Sequence, residues 1–251
     1  PCFQPPRMRA PEVYAEYIQL QPDLNVMAYV TDIIPENILN FPRLGTIQYH
    51  PSLLPKHRGG SAINWAIING ESETGVTTIF LKEQVDTGNM LLQARTPILP
   101  EDDAGTLHER LAAIGAEVLL HTVRLIEQGK AVPREQDESL ASSAPKILKE
   151  HCRIAWNSPA VSIHNRVRGL SPHPAAFTTH NGKVIKLFRT KVLEERSEQE
   201  PGTVHVTGTQ LLVCTADRMI AIEDLQLEGR KRMGVEEFLR GYRIASGEKL
   251  G

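Results

Sequence analysis

Cysteine and aromatic residues are scarce in this sequence, which has three Cys and 5% Phe, Trp and Tyr among its 251 residues. Cys2, Cys152 and Cys214 are odd in number and lie far apart. They therefore match neither a disulfide framework nor the paired cysteine spacing of a zinc site. We expect a protein of a reducing compartment, the cytoplasm, with no bound metal.

Long apolar runs are also lacking. No run approaches the roughly 18 to 20 residues that cross a bilayer, and the chain does not open with the charged, apolar and small-residue order of a signal peptide. We therefore expect no membrane partner. The first residue is Pro1 and not Met, so we expect that a preceding segment was cleaved or left out.

The formal net charge is small, at −2, but it is unevenly distributed. Residues 1–145 carry 11 Lys and Arg against 18 Asp and Glu, a net charge of −7, whereas residues 146–251 carry 17 against 12, a net charge of +5. A basic half joined to an acidic half favours a polyanion partner such as nucleic acid, because summed charge steers its approach. An ordinary solvated surface is the alternative.

The first half alternates helical patterns with short apolar runs. Periodicity predicts helices over residues 10–20, 35–41, 61–69 and 106–128, and strands over residues 24–30, 46–49, 74–81 and 90–98. This alternation predicts an open α/β sheet. The polar, Ser-rich residues 132–145 are typical of a linker, which predicts a first domain over residues 1–131 and a second over residues 146–251.

The second half has a different pattern. A helix is predicted over residues 160–169, followed by short alternating runs that are separated by turn signals such as Asn181-Gly182 and Pro201-Gly202. Regularly spaced short strands of this kind are typical of a small barrel or a sandwich.

Two polar residues stand at loops beside predicted strands. His50 ends an apolar run and precedes a Pro-rich loop, and Asp86 lies in the loop Val85–Gly88 between two strands. Such loops can bring an imidazole and a carboxylate together, a pair suited to moving protons near neutral pH. Taken singly, each is more often structural, as a hydrogen-bonded His or a turn-forming Asp.

Longer motifs join these residues. The segment HPSLLPKHRGGSAINWAIINGESETGVT at 50–77, followed by VDTG at 85–88, resembles the signature of the formyltransferases that use 10-formyltetrahydrofolate. SIHNRVRGLSPHPAAFT at 162–178 and LEGRKRMGVEEFLRGYRI at 227–244 extend the resemblance into the second half. The resemblance implies a Rossmann-like sheet followed by a small β-barrel of the oligonucleotide-binding type. It also implies transfer of a formyl group to an amine.

The resemblance implies catalytic roles for three residues. His50 would stabilise the oxyanion or relay a proton, and Asp86 would orient the imidazole. An amide two residues before the His would donate to the oxyanion, worth about 3 to 4 kcal/mol. The family has Asn there and this chain has Gln48. Its extra methylene can displace the donor by about an ångström, a shift that can cost about a hundredfold in rate.

Binding residues follow from the same resemblance. Ser52, Leu53, Leu54 and Pro55 correspond to the segment that contacts tetrahydrofolate, the formyl donor being 10-formyltetrahydrofolate. The acceptor would be initiator methionyl-tRNA, which makes this a cytoplasmic enzyme of translation initiation. Basic residues would meet its phosphates, and the candidates are Arg58, Arg166, Arg168, Lys183, Lys186, Arg189, Lys191, Arg230, Lys231 and Arg232.

The chain departs from the family at its start, where family members have a further strand-helix-strand region. The first strand of an open sheet is usually central, so we expect an incomplete sheet in which the strands at 24–30 and 46–49 lack a neighbour. Three alternatives to transfer onto tRNA therefore stay open. They are hydrolysis of 10-formyltetrahydrofolate to formate, formylation of a sugar amine, and an inactive fragment that only binds. The oligomeric state stays open too.

Overall fold

A computed structural model describes residues 2–30 and 34–251, and the chain in it divides into two compact units. Unit 1 comprises Pro1–Ala62, Glu73–Pro97 and Arg110–Pro145, and unit 2 comprises Ile63–Ser72, Ile98–Glu109 and Lys146–Gly251. Two short stretches of the first half thus belong to unit 2. The domain boundaries drawn from composition stay a prediction.

Unit 1 contains a four-stranded sheet in the order β1-β2-β3-β4. Its strands are β1 (Asn25–Met27), β2 (Thr46–His50), β3 (Glu73–Phe80) and β4 (Met90–Pro97). β1 runs parallel to β2, whereas β3 is antiparallel to both β2 and β4. Helices alternate with strands along this part of the chain, as the sequence predicts for an open α/β sheet.

The strand expected over residues 24–30 is shorter than predicted, and part of this stretch is exposed. β1 covers three residues, and within the described residues it pairs with β2 alone. Val26 is 46% exposed, and Tyr29 and Val30 are exposed as well. The expectation that the 46–49 strand lacks a neighbour is wrong, because β2 has β1 on one side and β3 on the other.

Helices of the first half confirm the periodic pattern. They are α1 (Pro11–Gln19), α2 (Glu36–Leu39), α3 (Ala62–Ile68) and α4 (Ala104–Glu127). α4 contributes Leu119, Val123 and Ile126 to a core cluster with Ile47 of β2 and Leu91 of β4. Within residues 2–30 and 34–251, every helix falls short of the combined length and apolarity that a membrane crossing requires.

The segment 132–145, predicted as a linker, is an ordered part of unit 1. Arg134 exchanges two backbone hydrogen bonds with Met90, of 2.7 and 2.8 Å. The Arg58 N–H donates to the Ser142 carbonyl at 2.8 Å, and the Ala144 N–H donates to the Arg58 carbonyl at 2.6 Å. A short 3-10 turn, Glu138–Leu140, lies between these two contacts. The polar composition of this segment did not indicate a free linker. Its hydrogen bonds to unit 1 join backbone groups, which every residue type has.

Unit 2 contains an antiparallel sheet in the order β5-β6-β9-β8-β7, with β10 paired to β9. The strands are β5 (Ala176–His180), β6 (Lys183–Arg196), β7 (Val204–Thr207), β8 (Gln210–Cys214), β9 (Arg218–Leu227) and β10 (Met233–Gly234). The helices are α5 (Lys149–Cys152), α6 (Ala160–Leu170) and α7 (Val235–Gly241). Ile163, Val167 and Leu170 of α6 pack on Leu187 and Ile220 of the sheet.

The last residues of the chain connect the two edges of this second sheet. On the β7 side, the Val204 N–H donates to the Glu248 carbonyl at 2.8 Å and the Leu250 N–H donates to the Gly202 carbonyl at 2.9 Å. On the β5 side, the Gly251 N–H donates to the Thr179 carbonyl at 3.0 Å. The sheet is thus barrel-like, although no ladder within the described residues joins β5 directly to β7.

Candidate active site

Gln48 and His50 face the same side of β2, because alternate residues of a strand point to the same face. Asp86 reaches His50, but not because two parallel strands end at the same edge of the sheet. β3 is antiparallel to β2, so the loop after Phe80 begins beside Thr46, where the Leu81 N–H donates to the Thr46 carbonyl at 2.9 Å. The loop must fold back to reach His50.

Gly88 is required for that folded-back path. A Cβ at this position would lie 1.5 Å from the carbonyl oxygen of Phe80, a distance that no side chain tolerates. Asp86 itself has a φ of +56°, in the left-handed region that residues other than Gly rarely adopt. The VDTG motif therefore encodes a tight return of the loop that presents the Asp86 carboxylate.

The three predicted catalytic residues meet in unit 1. Gln48 Nε2 donates to Asp86 Oδ1 at 3.0 Å, and Asp86 Oδ2 lies 3.5 Å from His50 Nδ1. Asp86 Oδ2 also accepts from the Gly59 N–H at 2.8 Å. A Cβ on Gly59 would lie 2.5 Å from the Ala144 carbonyl oxygen, so this close approach needs glycine. The carboxylate is held by a side-chain amide and a backbone amide, beside an imidazole.

The second ring nitrogen of His50 fixes the tautomer of the imidazole. Nε2 lies 2.9 Å from the carbonyl oxygen of His57. A carbonyl oxygen only accepts, so Nε2 carries a proton, and Nδ1 is the nitrogen that faces Asp86. His50 and Asp86 are 3% and 4% exposed. Burial strengthens the interaction between them, because little water screens it.

The predicted folate segment is fixed by the hydroxyl of Thr77 on β3. Thr77 Oγ1 donates to the Ser52 carbonyl at 2.7 Å and accepts from the Leu54 N–H at 3.1 Å. Gln93 Nε2 donates to the Leu54 carbonyl at 2.8 Å. Leu54 and Pro55 are buried, whereas Leu53 is half-buried. The backbone of this segment is thus hydrogen-bonded within unit 1, and contact of its side chains with folate stays a prediction.

Sequence reasoning missed Gln136. Its Nε2 donates to the carbonyl oxygens of Asp86 at 2.7 Å and of Gly88 at 2.8 Å, and its Oε1 accepts from Nε and Nη2 of Arg58 at 3.0 and 2.8 Å. Glu138 also binds Arg58, through two hydrogen bonds of 2.8 Å. That carboxylate raises the pKa of Arg58. The 132–145 segment gave no local signal of this role, because its composition is that of a linker.

Some of the predicted RNA-binding residues are already hydrogen-bonded within the protein. Arg58 is bound within unit 1, and in unit 2 Arg166 donates to the His151 carbonyl at 2.6 Å. Arg168 donates to the carbonyls of Leu99 and Asp102 at 3.2 and 3.1 Å, and burial lowers its pKa. These three arginines hold structure together, so a role in binding RNA would compete with their present bonds.

The remaining basic candidates lie on the sheet and turns of unit 2. Lys186 is half-buried and the others are exposed, namely Lys183, Arg189, Lys191, Arg230, Lys231 and Arg232. Arg189 pairs with Glu223 at 2.7 Å, Lys231 with Glu237 at 3.5 Å, and Arg232 with Asp224 through an Nε bond of 2.8 Å. RNA binding by any of them stays a prediction.

No cluster of three or more His, Cys, Asp and Glu side chains suited to a metal ion occurs in the described parts of the chain. The arrangement of Gln48, His50 and Asp86 suits proton transfer and oxyanion stabilisation. It offers an amide donor, an imidazole and a carboxylate at one buried point.

Comparisons with known proteins agree over both halves. Residues 1–123 match the family model described as formyl transferase, and residues 146–243 match the model of the formyl transferase C-terminal domain. Methionyl-tRNA formyltransferase of Syntrophus aciditrophicus (strain SB) is 44% identical over 252 residues, covering 100% of this chain and 81% of that protein. The enzyme of the same name from Caldanaerobacter subterraneus subsp. tengcongensis is 43% identical, covering 96% of this chain and 78% of that protein.

Solved structures share the fold. HypX from Aquifex aeolicus in complex with tetrahydrofolic acid has a TM-score of 0.71 and 21% identity, covering 96% of this chain and 44% of HypX. WlaRD, a sugar 3N-formyl transferase, has a TM-score of 0.63 and 20% identity, covering 82% of this chain and 73% of WlaRD. At such identities the likeness shows the fold alone. By its two family models and its relatives over the whole length, the chain belongs to the formyl transferase family.

Proposed function

We propose that this chain transfers the formyl group of 10-formyltetrahydrofolate to the amino group of methionyl-initiator-tRNA, as a cytoplasmic enzyme of translation initiation. Similarity over the whole chain carries the proposal, because the relative from Syntrophus aciditrophicus, 44% identical and covering all of it, is a methionyl-tRNA formyltransferase. The net charge of +5 on residues 146–251 supports an RNA partner for the second half.

The donor is the second part of the proposal. A tetrahydrofolate is bound by HypX, which shares the fold over 96% of this chain. Segment Ser52–Pro55 is held rigidly by Thr77 and Gln93, and Leu53 keeps a half-buried apolar side chain beside it. A flat pterin or aminobenzoyl ring suits such an apolar wall.

The reaction assigns a task to each residue of the cluster. The amine nitrogen of the methionyl group attacks the formyl carbon, a new C–N bond forms, and the carbonyl electrons move to the oxygen. Gln48 donates one amide hydrogen to Asp86, and the second hydrogen on Nε2 serves as a donor to that oxyanion. Collapse of the tetrahedral intermediate breaks the bond between the formyl carbon and N10.

Protons must move in the same sequence. The attacking amine loses a proton and N10 of the leaving tetrahydrofolate gains one. The buried pair of His50 Nδ1 and Asp86 Oδ2, 3.5 Å apart, can accept the first proton and supply the second. Because His50 Nε2 donates to the His57 carbonyl, the ring stays oriented while Nδ1 exchanges protons.

A dual assay tests the function. Donor labelled in the formyl group is incubated with methionyl-initiator-tRNA, and label on the tRNA, free labelled formate and tetrahydrofolate are measured together. The proposal expects one label on tRNA for each tetrahydrofolate released, and no transfer to N-acetylmethionyl-tRNA, whose amine is blocked. Release of formate without labelled tRNA would identify a hydrolase, and transfer to a sugar amine in place of tRNA would also contradict the proposal.

A further inference from the structure

Asp86 adopts a left-handed backbone conformation, with a φ of +56°. Residues other than glycine are uncommon in this region, although Asp tolerates it better than most. In this conformation the Asp86 carboxylate faces both Gln48 and His50. Such a conformation persists only where surrounding groups hold it in place.

Gln136 makes such stabilising hydrogen bonds, both to the loop that carries Asp86 and to Arg58. Its two amide hydrogens go to the carbonyl oxygens of Asp86 and Gly88, at 2.7 and 2.8 Å, which fixes the backbone on each side of Thr87. Its carbonyl oxygen accepts two hydrogens from Arg58, at 3.0 and 2.8 Å. All the hydrogen-bonding capacity of the amide is therefore used.

Arg58 connects Gln136 to the backbone that contacts His50 and Asp86. It lies between His57, whose carbonyl binds His50 Nε2, and Gly59, whose N–H binds Asp86 Oδ2. Glu138 holds the Arg58 guanidinium from the same segment of chain, two residues after Gln136. One side chain therefore bridges the loop that presents Asp86 and the loop that orients His50.

We propose that Gln136 is a positioning residue of the active site, which fixes the Asp86 carboxylate relative to His50 and Gln48 without touching substrate. The inference rests on the proposed function for its catalytic consequence. Only an amide satisfies the site, because it gives two donors to the carbonyls of Asp86 and Gly88 and one acceptor to Arg58. A carboxylate of the same shape would keep the contact with Arg58 and place negative charge against both carbonyls.

The substitution Gln136→Glu tests this with little change of volume, and Glu135→Gln, at the exposed neighbouring position, is the matched control. We expect Gln136→Glu to lower kcat by about ten- to hundredfold, as a displacement approaching 1 Å at the reacting groups would. KM for methionyl-tRNA should stay unchanged, because Gln136 makes no contact with substrate in this proposal. Glu135→Gln should match the wild type in both constants.

A double-mutant cycle separates positioning from general loss of structure. If Gln136 acts through Asp86, then Gln136→Glu added to Asp86→Asn should leave the residual rate of tetrahydrofolate release unchanged, whereas independent effects would multiply. NMR signals of the His50 ring give a readout that needs no activity. They should shift in Gln136→Glu and stay in place in Glu135→Gln, with Tm recorded for all variants.

The outcomes distinguish this inference from the proposed function. Full kcat with unshifted His50 signals in Gln136→Glu would overturn the positioning role, even where the wild type formylates tRNA. Absence of labelled tRNA from the wild type would overturn the proposed acceptor, while shifted His50 signals in Gln136→Glu would still support the positioning role.

Discussion

The imidazole of His50 and the carboxylate of Asp86 lie 3.5 Å apart, with 4% and 5% of their side chains exposed. His50 is the last residue of β2, and Asp86 lies in the loop that follows β3. Because β3 is antiparallel to β2, that loop begins near the start of β2. Little water surrounds either group to screen an interaction between them. The pair is therefore the chemical centre of the proposed mechanism.

Replacing His50 by Ala should abolish turnover without unfolding the chain. General acid and base groups contribute about 10² to 10⁴ in rate, so we expect at least a hundredfold loss in kcat. His121→Ala is the control, because His121 is exposed on α4. Circular dichroism checks the fold. A folded His50→Ala variant with wild-type kcat would show that proton transfer is carried elsewhere.

Gln48 should tolerate loss of one methylene better than loss of its amide. Gln48→Asn keeps the donor and should preserve transfer within about tenfold, or raise it. Gln48→Ala removes the donor and should cost about 3 to 4 kcal/mol, equal to two to three orders of magnitude in kcat. Steady-state kinetics with methionyl-tRNA measure both variants. Equal, large losses in the two would show that the length of Gln48 is essential for its contact with Asp86.

Gly88→Ala should lower both stability and activity. The new methyl group would meet the Phe80 carbonyl, so the loop must open, at a cost of about 1 to 3 kcal/mol by analogy with overpacked sites. Gly241→Ala is the control, since a Cβ there would meet nothing within 4 Å. Urea unfolding and kcat are the measurements. Unchanged values for Gly88→Ala would mean that the loop adopts another path.

Stability of unit 2 should depend on the ionisation of Asp217. Its Oδ1 accepts from the Ala160 N–H at 2.8 Å, at the start of α6, and this bond lowers its pKa from the ordinary value of 3.8. The folded state thus favours the carboxylate. The stabilisation is fully present above pH 3.8 and is lost as pH falls through the lower folded pKa.

Asp217→Asn should therefore reduce the free energy of unfolding by about 1 kcal/mol at pH 7, the typical worth of one such hydrogen bond. The difference from the wild type should shrink as pH falls below 3.8. Urea unfolding at pH 7 and pH 3 measures it, with Glu198→Gln at an exposed position as the control. A difference that does not depend on pH would rule out the charge of Asp217 as its source.

Much of the fold was predictable because its signals are local. Apolar periodicity identified α4 and the strands that flank the VDTG loop, and turn residues separated the short strands of unit 2. The pairing of strands was harder to predict. The antiparallel placement of β3 beside β2 depends on contacts between distant residues, which no local pattern records.

Local patterns identified some residues of the candidate site and missed others. His50 and Asp86 stood out because each is a polar residue at a loop within a recognisable motif. Gln136 did not, because its function depends on carbonyl groups of Asp86 and Gly88, which are 50 and 48 residues away in sequence. Arg58 was expected at an RNA surface, yet its guanidinium is held by Gln136 and Glu138.

The most direct test of the proposed mechanism is a single-turnover measurement with formyl-labelled 10-formyltetrahydrofolate and methionyl-initiator-tRNA, comparing the wild type with Asp86→Asn. Asn keeps the shape of Asp86 and removes the charge beside His50. We predict labelled tRNA from the wild type and a rate at least about a hundredfold lower from Asp86→Asn. Equal rates of labelling from the two proteins would contradict the mechanism.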